Sequence, residues 1–163
     1  MTLIPQTRHL IPYVSIAEAA AKKSPCLRRQ YGVVIVDAGP TFSFVSDWND
    51  RVGKCCKGGI CDRTMIGLTN GERTEVGAEI HAETAALIRH GPKKLDASYF
   101  ILVGFANGNP IYGRESYPCH SCAMAIKYAG YLYVYLLDSE KNIRPYSINQ
   151  ILIDREQEWM PAE

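Results

Sequence analysis

The chain has no apolar run approaching the roughly 18 residues that a membrane-spanning helix needs. Its first ten residues, Met1 to Leu10, lack an apolar core of the length a secretory signal requires, so a soluble, cytoplasmic protein is the expectation. Charge bias is missing too: 18 basic against 17 acidic residues leave a net charge of +1. That balance carries no electrostatic footprint of a duplex nucleic-acid binder, whose surface is markedly basic. Repeats, low-complexity tracts and an obvious linker are all absent. At 163 residues the expectation is one domain over residues 1–163, large enough to bury about two-thirds of its unfolded surface without staples. Cysteine is what remains conspicuous: Cys26, Cys55, Cys56, Cys61, Cys119 and Cys122. In a secreted chain these would pair; without an export signal, metal binding is the better account.

Hydrophobic periodicity gives an alternation of helices and strands. Leu10 to Lys23 reads as a helix with Leu10, Val14, Ala17 and Ala21 on one face, Pro12 being tolerable only in its opening turn. Tyr31 to Val36 is a nearly continuous apolar strand, with Thr41 to Ser46 as its candidate partner across Ala38-Gly39-Pro40. Ala97 to Phe105 and Tyr131 to Leu137 are two more apolar runs. His81 to His90 reads as a helix stopped by Gly91-Pro92, and Pro118 suits the first turn of another that runs to Gly130. Strands buried on both faces and separated by helices imply an α/β chain: a three-layer α/β/α sandwich on a central mixed sheet of about five strands. Asp47 to Ile80 is a long polar stretch rich in glycine and cysteine, the kind of segment that is functional or tied down. Phe105 to Tyr117 reads as a hairpin turning at Asn107 to Pro110.

Two of the helix starts carry the chemistry. His81-Ala82-Glu83 and Pro118-Cys119-His120-Ser121-Cys122 together supply three soft or borderline metal ligands and one spare carboxylate. Structural zinc takes four protein ligands, whereas catalytic zinc takes about three and keeps a position for water. His81, Cys119 and Cys122 make the three, and Glu83 is close enough in sequence to handle a proton of that water. Helix N-termini favour negative charge and so the thiolate forms of Cys119 and Cys122. Taken singly, the C-x-x-C is also compatible with a redox pair or half of a structural zinc site.

The pairing of H-x-E with P-C-x-x-C resembles the signature of zinc-dependent nucleobase deaminases. The likeness extends to Ser24-Pro25-Cys26-Leu27-Arg28-Arg29-Gln30-Tyr31-Gly32-Val33-Val34-Ile35-Val36 and to Cys61-Asp62-Arg63 followed by Gly71-Glu72-Arg73-Thr74-Glu75. Over roughly Ala19 to Leu137 the chain is similar to the cytidine/deoxycytidylate deaminase superfamily, most of all to its deoxycytidylate (dCMP) branch. The resemblance implies a cytidine deaminase-like fold and a hydrolase that turns dCMP into dUMP: zinc-activated water attacks C4 of the cytosine ring while Glu83 shuttles protons to N3 and to the leaving ammonia. It implies that Ala82 offers a backbone N–H to the pyrimidine carbonyl and that Asn49 contacts the sugar, a turn role being the alternative for Asn49. It also implies a homo-oligomer with subunit contacts near the active site. The alternation of Tyr131, Tyr133 and Tyr135 with Leu132, Val134 and Leu136 agrees with that, since it leaves a strand apolar on both faces.

A phosphate-bearing substrate calls for a cation, and Arg28, Arg29, Arg51, Lys54, Arg89 and Arg114 are the candidates. Arg114 lies on the hairpin segment, either reaching over the sugar or simply solvated. The chain also departs from the branch it resembles. Ala85 stands where an asparagine is common, Val76 and Gly77 stand where a cysteine is common, and the segment before Pro118 is longer. In relatives the cysteine-bearing region can hold a second, structural zinc; here Cys26, Cys55, Cys56 and Cys61, with Glu79 as an outside candidate, are the possible ligands, and buried thiols are the alternative. Three readings therefore stay open: a free-nucleotide or nucleoside deaminase, a deaminase of a modified base or of single-stranded nucleic acid, and a non-catalytic zinc module.

Overall fold

The computed structural model describes residues 7–26, 28–51, 67 and 79–159. A 3-10 turn at Arg8–Leu10 leads into α1 (Ile11–Ala21), followed by β1 (Arg29–Asp37), β2 (Ser43–Trp48), β3 (Asp50–Arg51) and β4 (Glu79–Ile80). Next come α2 (Ala82–His90), β5 (Ser98–Ala106), β6 (Asn109–Ile111), a 3-10 turn at Gly113–Ser116 and α3 (His120–Tyr128). The described chain ends with β7 (Tyr133–Leu137), β8 (Ile143–Ser147) and α4 (Ile148–Trp159).

Successive side chains of a strand point to opposite faces, and β1, β5 and β7 are apolar on both. Val33, Ile35, Phe100, Leu102, Val134 and Leu136 face one layer, where they meet Ala82 and Ala86 of α2, Ala123 and Ile126 of α3, and Ile148, Ile151 and Leu152 of α4. Val34, Val36, Ile101, Val103, Tyr135 and Leu137 face the other, against Leu10 and Ala17. The result is the expected three-layer α/β/α sandwich, with one described helix on one face and three on the other. The central sheet runs β2-β1-β5-β7-β8, and β6 adds to the part of β5 that β7 leaves uncovered. Only β5 and β7 run parallel among these pairs. A parallel pair needs a crossover, and α3, the C-x-x-C helix, is that crossover.

The sequence expectations need several adjustments. β2 lies two residues later than Thr41 to Ser46, still antiparallel to β1. Pro118 precedes the N-cap of α3 instead of opening its first turn. The hairpin turns on Asn107 and Gly108, whose φ values of 50° and 79° suit a two-residue primed turn. The double apolar character of β7 is used inside the chain, one face under α1 and the other under α2 to α4, so it no longer argues for a subunit contact.

Two close fits fix the helices that matter. The far end of α2 is latched by a buried polar cluster: His90 Nε2 meets Asp37 Oδ2 at 2.8 Å, and Ser98 donates its hydroxyl to Asp37 Oδ1 at 2.5 Å. Burial alone would raise the Asp37 carboxyl, but the hydrogen bonds from Ser98 and His90 hold it below its ordinary value. On the opposite face α1 rests directly on Gly32. A Cβ there would overlap the Ala17 carbonyl oxygen and stand 2.5 Å from the Ala21 nitrogen, both of them helix backbone that cannot swing aside. Gly32→Ala is therefore expected to lower the unfolding free energy by about 1–3 kcal/mol. A urea titration giving a wild-type midpoint would contradict this packing.

Candidate metal centre

A helix leaves its first N–H groups without intrahelical partners, and Ser, Thr, Asp or Asn at the N-cap ordinarily satisfies one. The N-caps of α2 and α3 are His81 and Cys119 instead. Both take the extended backbone an N-cap requires, and neither side chain caps its own helix. Their carbonyls accept the first helical bonds, from Ala85 N at 2.9 Å and Ala123 N at 2.8 Å. With capping forgone, the imidazole and the thiol point at each other across the gap between the helices.

His81 Nδ1 lies 3.5 Å from Cys119 Sγ and 3.3 Å from Cys122 Sγ. One ligand atom from each of the three residues falls within 4.8 Å of the others. A tetrahedral zinc with bonds of about 2.05 Å to nitrogen and 2.3 Å to sulfur would set N···S edges of about 3.5 Å. The donor set and its spacing thus fit zinc, and three protein ligands leave a fourth position open. Neither cysteine is in a disulfide. The hydrogen bond from Cys122, with help from His81, holds Cys119 well below the ordinary thiol range, while that same bond and burial push Cys122 up. A dication bound to both sulfurs would ionise both.

Glu83 sits in the first turn of α2 and is 4% exposed. Burial pushes its carboxyl up to about 7, the Cys119 sulfur adding to the rise and His81 opposing it. A cation on the neighbouring ligands would draw that value down again. Ala82, fully buried, places its methyl in the core, and its N–H, the first of α2, has no partner within the helix. Two hydroxyls that the sequence reading did not single out touch the sulfurs, Ser121 Oγ at 3.3 Å from Cys119 and Thr84 Oγ1 at 3.7 Å from Cys122.

The remaining candidates divide. Asn49 is buried and holds β1 in place, its Oδ1 accepting the Tyr31 N–H at 2.7 Å and its Nδ2 donating to the Arg29 carbonyl at 2.9 Å. These bonds brace a strand and are not the turn role that the sequence offered as the alternative; one amide N–H and one lone pair remain beyond them. Arg114 turns to α4, donating to the Asp154 carbonyl at 3.4 Å and pairing with Glu158 at 3.4 Å. Arg89 pairs with Asp47 at 2.9 Å. Arg29 donates to the Tyr31 hydroxyl at 3.1 Å and pairs with Glu115 at 3.7 Å; burial raises the Tyr31 phenol, and the Arg29 charge opposes the rise. Of the second-site candidates, Cys26 is buried and its sulfur accepts the Arg29 N–H at 3.4 Å. Cys55, Cys56 and Cys61 lie outside the described residues, as do Val76, Gly77, Lys54 and the side chains of Glu79 and Arg51.

Removing one of three ligands leaves too few donors for a stable site. Cys119→Ala and Cys122→Ala should each lose zinc that the purified wild-type chain retains through dialysis, as read by metal analysis. Full metal content in both variants would contradict this ligand set.

No protein-family model matches the chain. It is similar to a deoxycytidylate deaminase of Schizosaccharomyces pombe, with 25% identity over 118 residues, which is 72% of this chain and 33% of that protein. The chain thus spans about a third of the length of the relative it matches.

Proposed function

We propose that the chain is a zinc-dependent hydrolase that deaminates the cytosine ring of a free nucleotide, with dCMP as the substrate and dUMP as the product. The observation that carries this reading is Glu83. A non-catalytic zinc module has no use for a carboxylate buried to 4% exposure beside an open three-ligand set, and leaving it there costs stability. Similarity to a protein named deoxycytidylate deaminase supports the ring chemistry and the nucleotide class.

Zinc held by His81, Cys119 and Cys122 supplies, when bound, the Lewis acidity that makes water a nucleophile at neutral pH. The chain's own residues do the rest. Glu83 takes both protons of the attacking water in turn, giving the first to N3 of the ring and the second, from the new C4 hydroxyl, to the amino group, which leaves as ammonia as the C4 carbonyl forms. Low exposure keeps bulk water from short-circuiting these transfers. The first N–H of α2, at Ala82, binds the pyrimidine carbonyl, and the second amide N–H of Asn49 binds the sugar. Among the phosphate candidates Arg29 is the best supported, because its partner Tyr31 packs against the core layer that holds Ala82; Arg29 also pairs with Glu115 at 3.7 Å, an ion pair that a phosphate would have to displace.

The test compares dCMP, deoxycytidine and single-stranded oligonucleotides by ammonia release. dCMP should give the highest kcat/KM, Arg29→Gln should narrow its lead over deoxycytidine, and Glu83→Ala should keep zinc while losing about 10²–10⁴-fold in turnover. Equal kcat/KM for dCMP and deoxycytidine would remove the nucleotide assignment, and near-normal turnover by Glu83→Ala would remove the mechanism.

The same reading includes a cytoplasmic homo-oligomer. Its support is a shallow groove of about 360 Å³ between α2 and α3, lined by Leu87, Ile88, Pro92, Ala125 and Ala129 beside Thr84. Ile88 is 72% exposed there, and Tyr128, one helical turn from Ala125, is 82% exposed. Sedimentation at micromolar concentration should give a species larger than the 18.2 kDa chain; a monomer alone would refute the assembly. Among the described residues no helix is long and apolar enough to cross a membrane.

A further inference from the structure

Cys119 can meet His81 only if the backbone immediately before it is held, and that backbone belongs to neither helix nor strand. Pro118 has no N–H to give, and Tyr117 before it is confined to extended conformations, which its φ of −56° and ψ of 140° satisfy. The carbonyls of Tyr117 and Pro118 are both taken by a single side chain from α4. Arg155 donates Nη2 to the Tyr117 carbonyl at 2.7 Å and Nε to the Pro118 carbonyl at 3.1 Å. Its third group, Nη1, is fixed by Glu158 at 2.8 Å, and the guanidinium carbon stands 6.0 Å from the Tyr117 ring centre. Tyr117 itself is buried in the core layer that holds α2, α3 and α4 together, edge-on to Tyr146.

We propose that Arg155 is a positioning residue for the metal centre: by bridging two successive carbonyls ahead of Cys119 it sets where that thiol stands, which makes the C-terminal helix part of the site. The inference rests on the reading of His81, Cys119 and Cys122 as metal ligands. Two parallel donors in a rigid plane are a property of guanidinium. An ammonium on a flexible stem meets one carbonyl at a time, so lysine does not replace it. Residues that orient a ligand without touching the metal commonly change affinity by about 10–100-fold.

The test measures zinc affinity by competition with a chromophoric chelator, and the visible spectrum of the cobalt-loaded chain, for wild type, Arg155→Lys and Arg155→Gln. Ile151→Val, a trimmed core residue of the same helix, serves as the comparison for simple loss of helix packing. Both Arg155 variants should bind zinc roughly 10–100-fold more weakly than wild type, with an altered sulfur-to-cobalt charge-transfer band, and Ile151→Val should keep both signatures. Arg155→Lys retaining affinity within about twofold, or Ile151→Val losing as much as the Arg155 variants, would overturn the inference. A wild-type chain that binds neither metal would overturn the metal-centre reading itself, and this inference with it.

Discussion

The Cys119 and Cys122 sulfurs reach the His81 ring nitrogen at 3.5 and 3.3 Å across the gap between α2 and α3, and the architecture turns on holding that gap. Ligand atoms on separate helices keep such a spacing only if both helices are seated on one rigid surface. That surface is the sheet face made by Val33, Ile35, Phe100, Leu102, Val134 and Leu136, into which Ala82, Ala86, Ala123 and Ile126 pack. Small residues at the start of each helix let the helices approach the sheet closely. The latch of His90 on Asp37 fixes the far end of α2, and the fork of Arg155 fixes the chain entering α3.

Electrostatics makes the same site unfavourable without a cation. Two thiols, one of them acid-shifted, and a carboxyl that burial pushes up to about 7 crowd together, Glu83 and Cys122 buried and Cys119 half-buried. Each negative charge raises the cost of the next, so Glu83 and Cys122 hold their protons more tightly than they would alone. Titratable groups crowded this way, with pKa values shifted by burial and by one another, are the pattern expected at a functional site. A dication would relieve the crowding, and in the reaction proposed above Glu83 moves protons without holding metal.

Local features were legible in the sequence and non-local ones were not. The spacing of Cys119 and Cys122 within one helical turn, the place of His81 at a helix start and a hairpin beginning at Asn107 all follow from residues a few places apart. The long apolar runs of β1, β5 and β7 announced strands buried on both faces. β8 was missed because Arg144 and Pro145 break its apolar character, which an edge strand tolerates. α4 was missed because its charged second half hides Ile148, Ile151 and Leu152, the one face at helical spacing that reaches the core. Asn49 and Arg114 were read for substrate contacts, yet what they bond depends on where β1 and α4 arrive, information that no local window contains. The same holds for Arg155, which finds its two carbonyls only after the last helix folds back over the cysteine loop.

Zinc K-edge X-ray absorption on the chain loaded with one equivalent of metal tests the central claim most directly, because it counts the ligands and identifies their elements. A three-ligand open site predicts one nitrogen at about 2.0–2.1 Å, two sulfurs at about 2.3 Å and one further light atom from solvent. A shell of four sulfurs, or one of nitrogen and oxygen without sulfur, would contradict it.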